Sequence, residues 1–173
     1  MIFKFFEIEK INLKEKKFFL FYGDNQGHKN EIISSKFKKN YPENYYNYEE
    51  SEILNNEENF FNNIFSKSFF ENKKLIIINR ASDKIKDLIE EILEKKIDDL
   101  VLILNANSLE KKSKLRTLFE KNKKTVTVAF YEDNNQTLSK IAINFFKKIK
   151  TPISQQSLNL IVERCRGDRQ NLN

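Results

Sequence analysis

Between Gly23 and Asn30 the chain reads GDNQGHKN, directly after the apolar run FFLFY (Phe18 to Tyr22). A glycine turn followed by a lysine at the start of a helix is the arrangement that cradles phosphate in the pattern G-x-x-x-x-G-K-[ST]. Small residues let backbone N–H groups close on the phosphates, the lysine reaches the terminal ones, and a hydroxyl holds Mg²⁺. Counted from Gly23, Lys29 falls in register, but His28 stands at the second glycine position and Asn30 at that of the hydroxyl residue. An imidazole where backbone must approach phosphate, and an amide where a hydroxyl must bind metal, keep the architecture and lose the chemistry. Gly23, Gly27, His28, Lys29 and Asn30 are therefore expected to form a degenerate loop that does not bind ATP.

The same test extends to the strands that flank such a loop, because hydrolysis needs acidic residues at a strand end to hold Mg²⁺ and orient water. KLIIINRASD ends its apolar run in Asn79 and Arg80, with Asp83 already in the next helix, and LVLILNAN ends in Asn105 and Asn107. Neither end carries a carboxylate, so no catalytic residue, metal site or cofactor is assigned. His28 is the single histidine and finds no partner for metal or acid–base work, which reads as a surface or turn histidine. Cys165 is the single cysteine; it excludes an intramolecular disulfide and a cysteine-based metal cluster. Arg164 and Arg166 on either side could lower its thiol pKa, although a passive thiol on a helix is the simpler reading.

These residues need a frame, and the hydrophobic pattern supplies one. Apolar runs of strand length at FFLFY, KLIIIN (Lys74 to Asn79), DDLVLILNAN and KTVTVAFY, with a weaker aromatic one at NYYNYEES, alternate with segments of helical period. Phe60, Phe61, Ile64 and Phe65 form one helical stripe; Ile85, Leu88, Ile89 and Ile92 form another behind a Ser82 or Asp83 cap. Strands apolar on both faces, alternating with helices, predict an α/β fold with a parallel sheet covered on both sides. After Tyr131 the strands stop. Two helices follow, separated at Thr151-Pro152, with Thr151 as the expected cap and Pro152 at an early helical position, then a turn at Gly167.

With 173 residues the chain has room for one domain and part of a second. No run of about 18 apolar residues spans a membrane, and the mixed Lys/Glu start is neither a signal nor a transit peptide. Together with the cysteine usage this predicts a cytoplasmic protein. Net charge is +6, from 31 basic and 25 acidic residues, and their interspersion describes a soluble surface as readily as a polyanion-binding one.

Taken in order, FLFYGDNQG, SKSFFENKKLIII, LVLILNANSLEKKSKLRTLFEK and ISQQSLNLIVERCRGDRQNLN resemble the delta subunit of the bacterial DNA polymerase III clamp loader, over roughly residues 18 to 173. The order and spacing carry the resemblance more than any one motif. It implies an AAA+ (P-loop NTPase-like) three-layer domain over residues 1–133. A small helical lid domain follows at 134–173, truncated, with a C-terminal collar domain absent. It further implies a subunit of the DNA polymerase holoenzyme that does not itself hydrolyse ATP. Its partners would be the beta sliding clamp, whose ring it opens, the other loader subunits (gamma/tau and delta prime), and primed DNA within the complex.

By the same resemblance, Ser68, Phe69 and Phe70 occupy the place of the clamp-binding tip, where the family carries a leucine-phenylalanine pair. One or two aromatic anchors can dominate such an interface; packing of both rings in the core is the alternative in a chain with 16 phenylalanines. The expected basic helix Leu109 to Lys124 offers Lys111, Lys112, Lys114 and Arg116 as contacts for DNA or a neighbouring subunit, or as a solvated face over inward Leu115, Leu118 and Phe119. Two other functions compete: an ATP-hydrolysing AAA+ enzyme with an atypical loop, and a DNA-binding module without a clamp partner.

Overall fold

The computed structural model describes residues 2–4, 8, 15–42, 44–65, 73–95, 97 and 99–172. Its strands are β1 (Ile2–Lys4), β2 (Phe18–Tyr22), β3 (Tyr45–Glu49), β4 (Lys74–Asn79), β5 (Leu100–Asn105) and β6 (Thr125–Ala129). The helices are α1 (Gln26–Ile32), α2 (Glu50–Asn55), α3 (Glu57–Phe65), α4 (Lys86–Glu94), α5 (Lys114–Lys121), α6 (Asn135–Lys148) and α7 (Gln155–Cys165). The strands form one sheet in the order β1-β6-β2-β5-β4-β3, and every adjacent pair is parallel. The short edge strand β1 extends the sheet beyond the five strands legible in the sequence.

Alternation along the central strands sends side chains to two separate cores. Phe18, Leu20 and Tyr22 of β2, with Ile76, Ile78, Leu102 and Leu104, meet α3, α4 and α5 through Phe60, Ile64, Ile89, Ile92, Leu115 and Phe119. The odd positions Phe19 and Phe21, with Ile77, Ile103 and Val128, pack on the other face against Ile33 and Phe37. Those two residues bound a π-helical turn that continues α1, and Phe37 meets Phe19 edge-on at 4.9 Å. This is a three-layer α/β architecture, with an all-parallel sheet covered on both faces as the hydrophobic pattern predicts.

α6 and α7 build a third, smaller core of Leu138, Ala142, Leu158, Val162 and Cys165. Cys165 is buried in it, and burial raises its thiol pKa; the flanking arginines do not activate it. Helix α7 starts later than its proline suggests: Ser154 is the N-cap, accepting from the Ser157 N–H, and Thr151-Pro152 precede it as connecting chain. The helix ends at Arg166 in the left-handed region, followed by Gly167 at φ +78°.

Candidate functional site

The loop after β2 sits at the carboxyl ends of the central strands, beside β5, where ligands enter open α/β sheets. Gly23 has φ +121°, and a Cβ there would lie 2.2 Å from the Phe130 carbonyl oxygen, so only glycine lets the chain leave β2 this close to the end of β6. Asn25 caps α1, its side-chain oxygen accepting from the His28 N–H. The helix thus begins at Gln26, three residues ahead of the lysine.

Lys29 is fully buried. Its ammonium donates to the Gly23 carbonyl at 2.8 Å and to the Ala106 carbonyl at 2.6 Å, so it ties the loop to the end of β5. Burial lowers its pKa to about 8, against the opposing pull of the Asp24 and Asp168 carboxylates. A lysine held this way has two protein carbonyls where a phosphate-binding lysine needs two phosphate oxygens.

Most backbone donors of the loop are spent as well. Gly23 N–H donates to Asn107 O at 3.2 Å, Asn25 to Phe130 O at 3.3 Å, Gln26 to Asp24 O at 2.8 Å and Lys29 to Asn25 O at 3.2 Å. Gly27 N–H donates to Oδ1 of Asp168, 3.3 Å away in the turn after α7. A Cβ at Gly27 would lie 2.5 Å from Gln170 N and 2.6 Å from that carboxylate oxygen. The space over Gly27 is therefore filled by the chain itself, and a carboxylate stands where a phosphate would have to be. These residues do not fit a nucleotide phosphate.

His28 is 6 % exposed, not a surface residue. Its ring meets Phe130 edge-on at 5.1 Å, and burial, reinforced by the Arg169 guanidinium, lowers its pKa. Asn30 lies on the exposed side of α1, accepting from Gln26. Around the buried face run the charged groups that join the chain after α7 to the sheet domain. Arg169 grips Asp133 with two bonds of 2.7 and 2.6 Å and reaches Glu31 at 2.9 Å. Asn25 Nδ2 donates to Asp133 at 2.9 Å and to Tyr131 O at 3.0 Å. Burial pushes the Asp133 carboxyl up, but the hydrogen bonds from Arg169 and Asn25 and the nearby charges outweigh it, leaving the pKa below the usual range. Sequence reasoning assigned no role to Asp133, Asp168 or Arg169; the turn at Gly167 marks the place of the last two, and no signal marks Asp133.

At the strand ends, Asn105 Nδ2 donates to Asn79 Oδ1 at 3.1 Å, and Arg80 pairs with Glu49 at 2.7 Å. With Gln26 and Asn107 these residues line an open cavity of about 210 Å³. Its amides are weak ligands for a hard divalent cation, and its carboxylate is engaged by an arginine.

The basic helix expected over Leu109 to Lys124 is shorter, running only from Lys114 to Lys121. Lys111 and Lys112 lie in the turn before α5, because Ser113 caps the helix and accepts from Arg116 N–H. Asp83 reinforces that cap, accepting from Ser113 Oγ at 2.6 Å and from the N–H groups of Lys114 and Leu115. Lys112, Lys114 and Lys121 join Lys86 and Glu90 around an open cavity of about 470 Å³ between α4 and α5. Arg116 does not share that surface: it stacks on Tyr22 at 4.8 Å, pairs with Glu120 at 2.7 Å and donates to Leu109 O.

Ser68, Phe69 and Phe70 lie outside the described residues. The helix before them, α3, ends in Phe65, which is 36 % exposed and stacked on Phe61 at 5.6 Å. The Lys95 ammonium lies 5.0 Å from the Phe61 ring centroid and 4.3 Å from that of Phe65.

Residues 19–130 match the model of the family described as DNA polymerase III, delta subunit. The chain belongs to that family. A comparison with curated proteins finds no match. Among solved structures, the DNA clamp loader delta protein of Bacillus subtilis superposes with a TM-score of 0.56 at 15% identity, covering 90% of this chain and 50% of its own. The chain thus spans half the length of that relative. Domain III of the Thermotoga maritima replication initiation protein DnaA also superposes at TM-score 0.56 and 15% identity, over 95% of this chain and 75% of its own. At that identity both establish the fold.

Proposed function

We propose that the chain acts as the non-catalytic delta subunit of the DNA polymerase III clamp loader, binding the beta sliding clamp and favouring its open ring for loading onto primed DNA. In this reading residues 1–133 form the clamp-binding AAA+ body and 134–173 belong to the lid. The gamma/tau and delta prime subunits are its companions in the cytoplasm. The family match over residues 19–130 is the observation that carries the reading. The filled loop supports it from the side of chemistry: a body that has closed its own phosphate site is left with binding as its work. No helix among the described residues is long and apolar enough to cross a membrane.

Phe69 and Phe70 are proposed as the anchors that enter a hydrophobic pocket on the clamp, with Ser68 beside them. The exposed end of α3 at Phe65 directly precedes this segment, so an apolar partner surface would continue onto it. Equilibrium binding of the chain to the sliding clamp of the same organism tests the assignment. Removal of both rings in Phe69→Ala, Phe70→Ala is expected to weaken binding by about 30-fold, the loss of one anchor of about 2 kcal/mol, up to roughly 1,000-fold if the two add. A double variant that binds like the parent would sink the site assignment, and a parent that does not bind would sink the functional reading.

A further inference from the structure

The lid helices and the body each have their own apolar core, and what joins them around the loop is polar. The linking residues are Asn25 and Glu31 from the body, Asp133 from the connecting segment, Asp168 just after α7, and Arg169 at the start of the 3-10 turn Arg169–Leu172. Arg169 is 11 % exposed and Asp133 6 %, so the bidentate pair at the centre is shielded from water. The segment is also held by backbone: Asp133 N–H donates to Gly167 O at 2.8 Å. Gly167 is packed against Glu132, where a Cβ would lie 3.1 Å from that side chain. The turn Arg169–Leu172 closes over Gly27, and its Leu172 packs on the lid core.

We infer that Asp168 and Arg169 form a latch that fixes the angle of the lid on the body, seated over Gly27 where a phosphate would otherwise lie. Every element of the latch comes from the chain, so the lid angle is set without a ligand. Its polar composition makes it releasable. Apolar burial is indifferent to a competing charge, whereas a guanidinium held by two carboxylates can be drawn away by a partner that offers another anion. The inference goes beyond the clamp-binding proposal and stands whatever the partner is.

Paired spin labels at Glu58→Cys on α3 and Lys148→Cys on α6, in a Cys165→Ala background, read the angle between body and lid. The parent is expected to give one narrow distance distribution. In Asp168→Ala, Arg169→Ala the distribution is expected to broaden or shift by several ångströms, while amide protection of β5 is retained. At Gly27 the amide is expected to exchange about ten-fold faster or more after loss of its charged acceptor. A broad distribution in the parent, or one unchanged in the double variant, would overturn the latch. Should the double variant fail to fold, Arg169→Lys keeps the charge and loses the bidentate fork. An intermediate width is then expected, and a parent-like width overturns the inference.

Discussion

Lys29 gives the most quantitative check on the filled loop. Replacing it by methionine keeps an unbranched chain of similar length and removes the buried ammonium. Between an unfolded pKa of 10.5 and a folded one of about 8, at about 1.4 kcal/mol per pH unit, burial of the charge costs the folded state roughly 3 kcal/mol at pH 7. Against that relief, the variant leaves the Gly23 and Ala106 carbonyls without their donor, at about 1 to 3 kcal/mol each. The two effects nearly cancel, and central values leave Lys29→Met about 1 kcal/mol less stable at pH 7. The pH dependence is sharper than the offset. Below about pH 8 Lys29 is protonated in both states and carries its full desolvation cost. As pH rises from there towards 10.5 the folded state has released the proton while the unfolded chain still holds it, so the parent gains stability relative to the variant. By pH 9.5 the gap should widen by about 2 kcal/mol. Urea denaturation of both proteins at half-unit steps from pH 7 to 9.5 measures it, with the other titrating groups cancelling in the difference. A gap that stays flat, or narrows, refutes the account of a buried lysine held by protein carbonyls.

Three further outcomes follow from other parts of the site. Gly23→Ala places a methyl 2.2 Å from the Phe130 carbonyl oxygen at a φ of +121°, and thermal unfolding should show a loss of about 2 kcal/mol or more; a change under about 0.5 kcal/mol contradicts the close approach. Because the Asp133 pKa is held below 3.8, its contribution to stability is present above that range and lost as pH falls through the folded value. Asp133→Asn should therefore flatten the acid limb of the stability curve, an effect that must not appear if Asp133 and Arg169 are unpaired in solution. Arg116→Ala should lower stability by about 1 to 2 kcal/mol through its contacts with Tyr22 and Glu120. It should leave the salt dependence of any polyanion binding untouched, whereas Lys112→Ala with Lys114→Ala should reduce it.

Much of the body was legible because strand and helix periods are local. FFLFY, KLIIIN and LVLILN stand out as buried strands, and Ile85, Leu88, Ile89 and Ile92 point where their spacing says. The three-residue β1 is too short to carry a period. Helix boundaries were less legible, since capping hydroxyls compete: Ser113 outbids the residues before it because Asp83 completes the cap, and Ser154 rather than Thr151 begins α7. At the site, the departures at His28 and Asn30 and the neutral strand ends pointed away from phosphate chemistry. What replaced it was hidden, because it is made of pairs far apart in sequence. Gly27 meets Asp168, Asp133 meets Arg169 and Lys29 meets Ala106, and no spacing rule in one chain connects them. His28 reads as a turn residue until Phe130, from the far end of β6, covers its ring.

The most direct measurement on the central claim is a calorimetric titration of the chain with ATP and Mg²⁺, with Lys29→Met alongside. A loop whose lysine, glycine space and most backbone donors are already taken by the protein should give no saturable heat in either. Saturable binding by the parent that is lost in Lys29→Met would contradict it, and would restore the reading of an ATP-using enzyme.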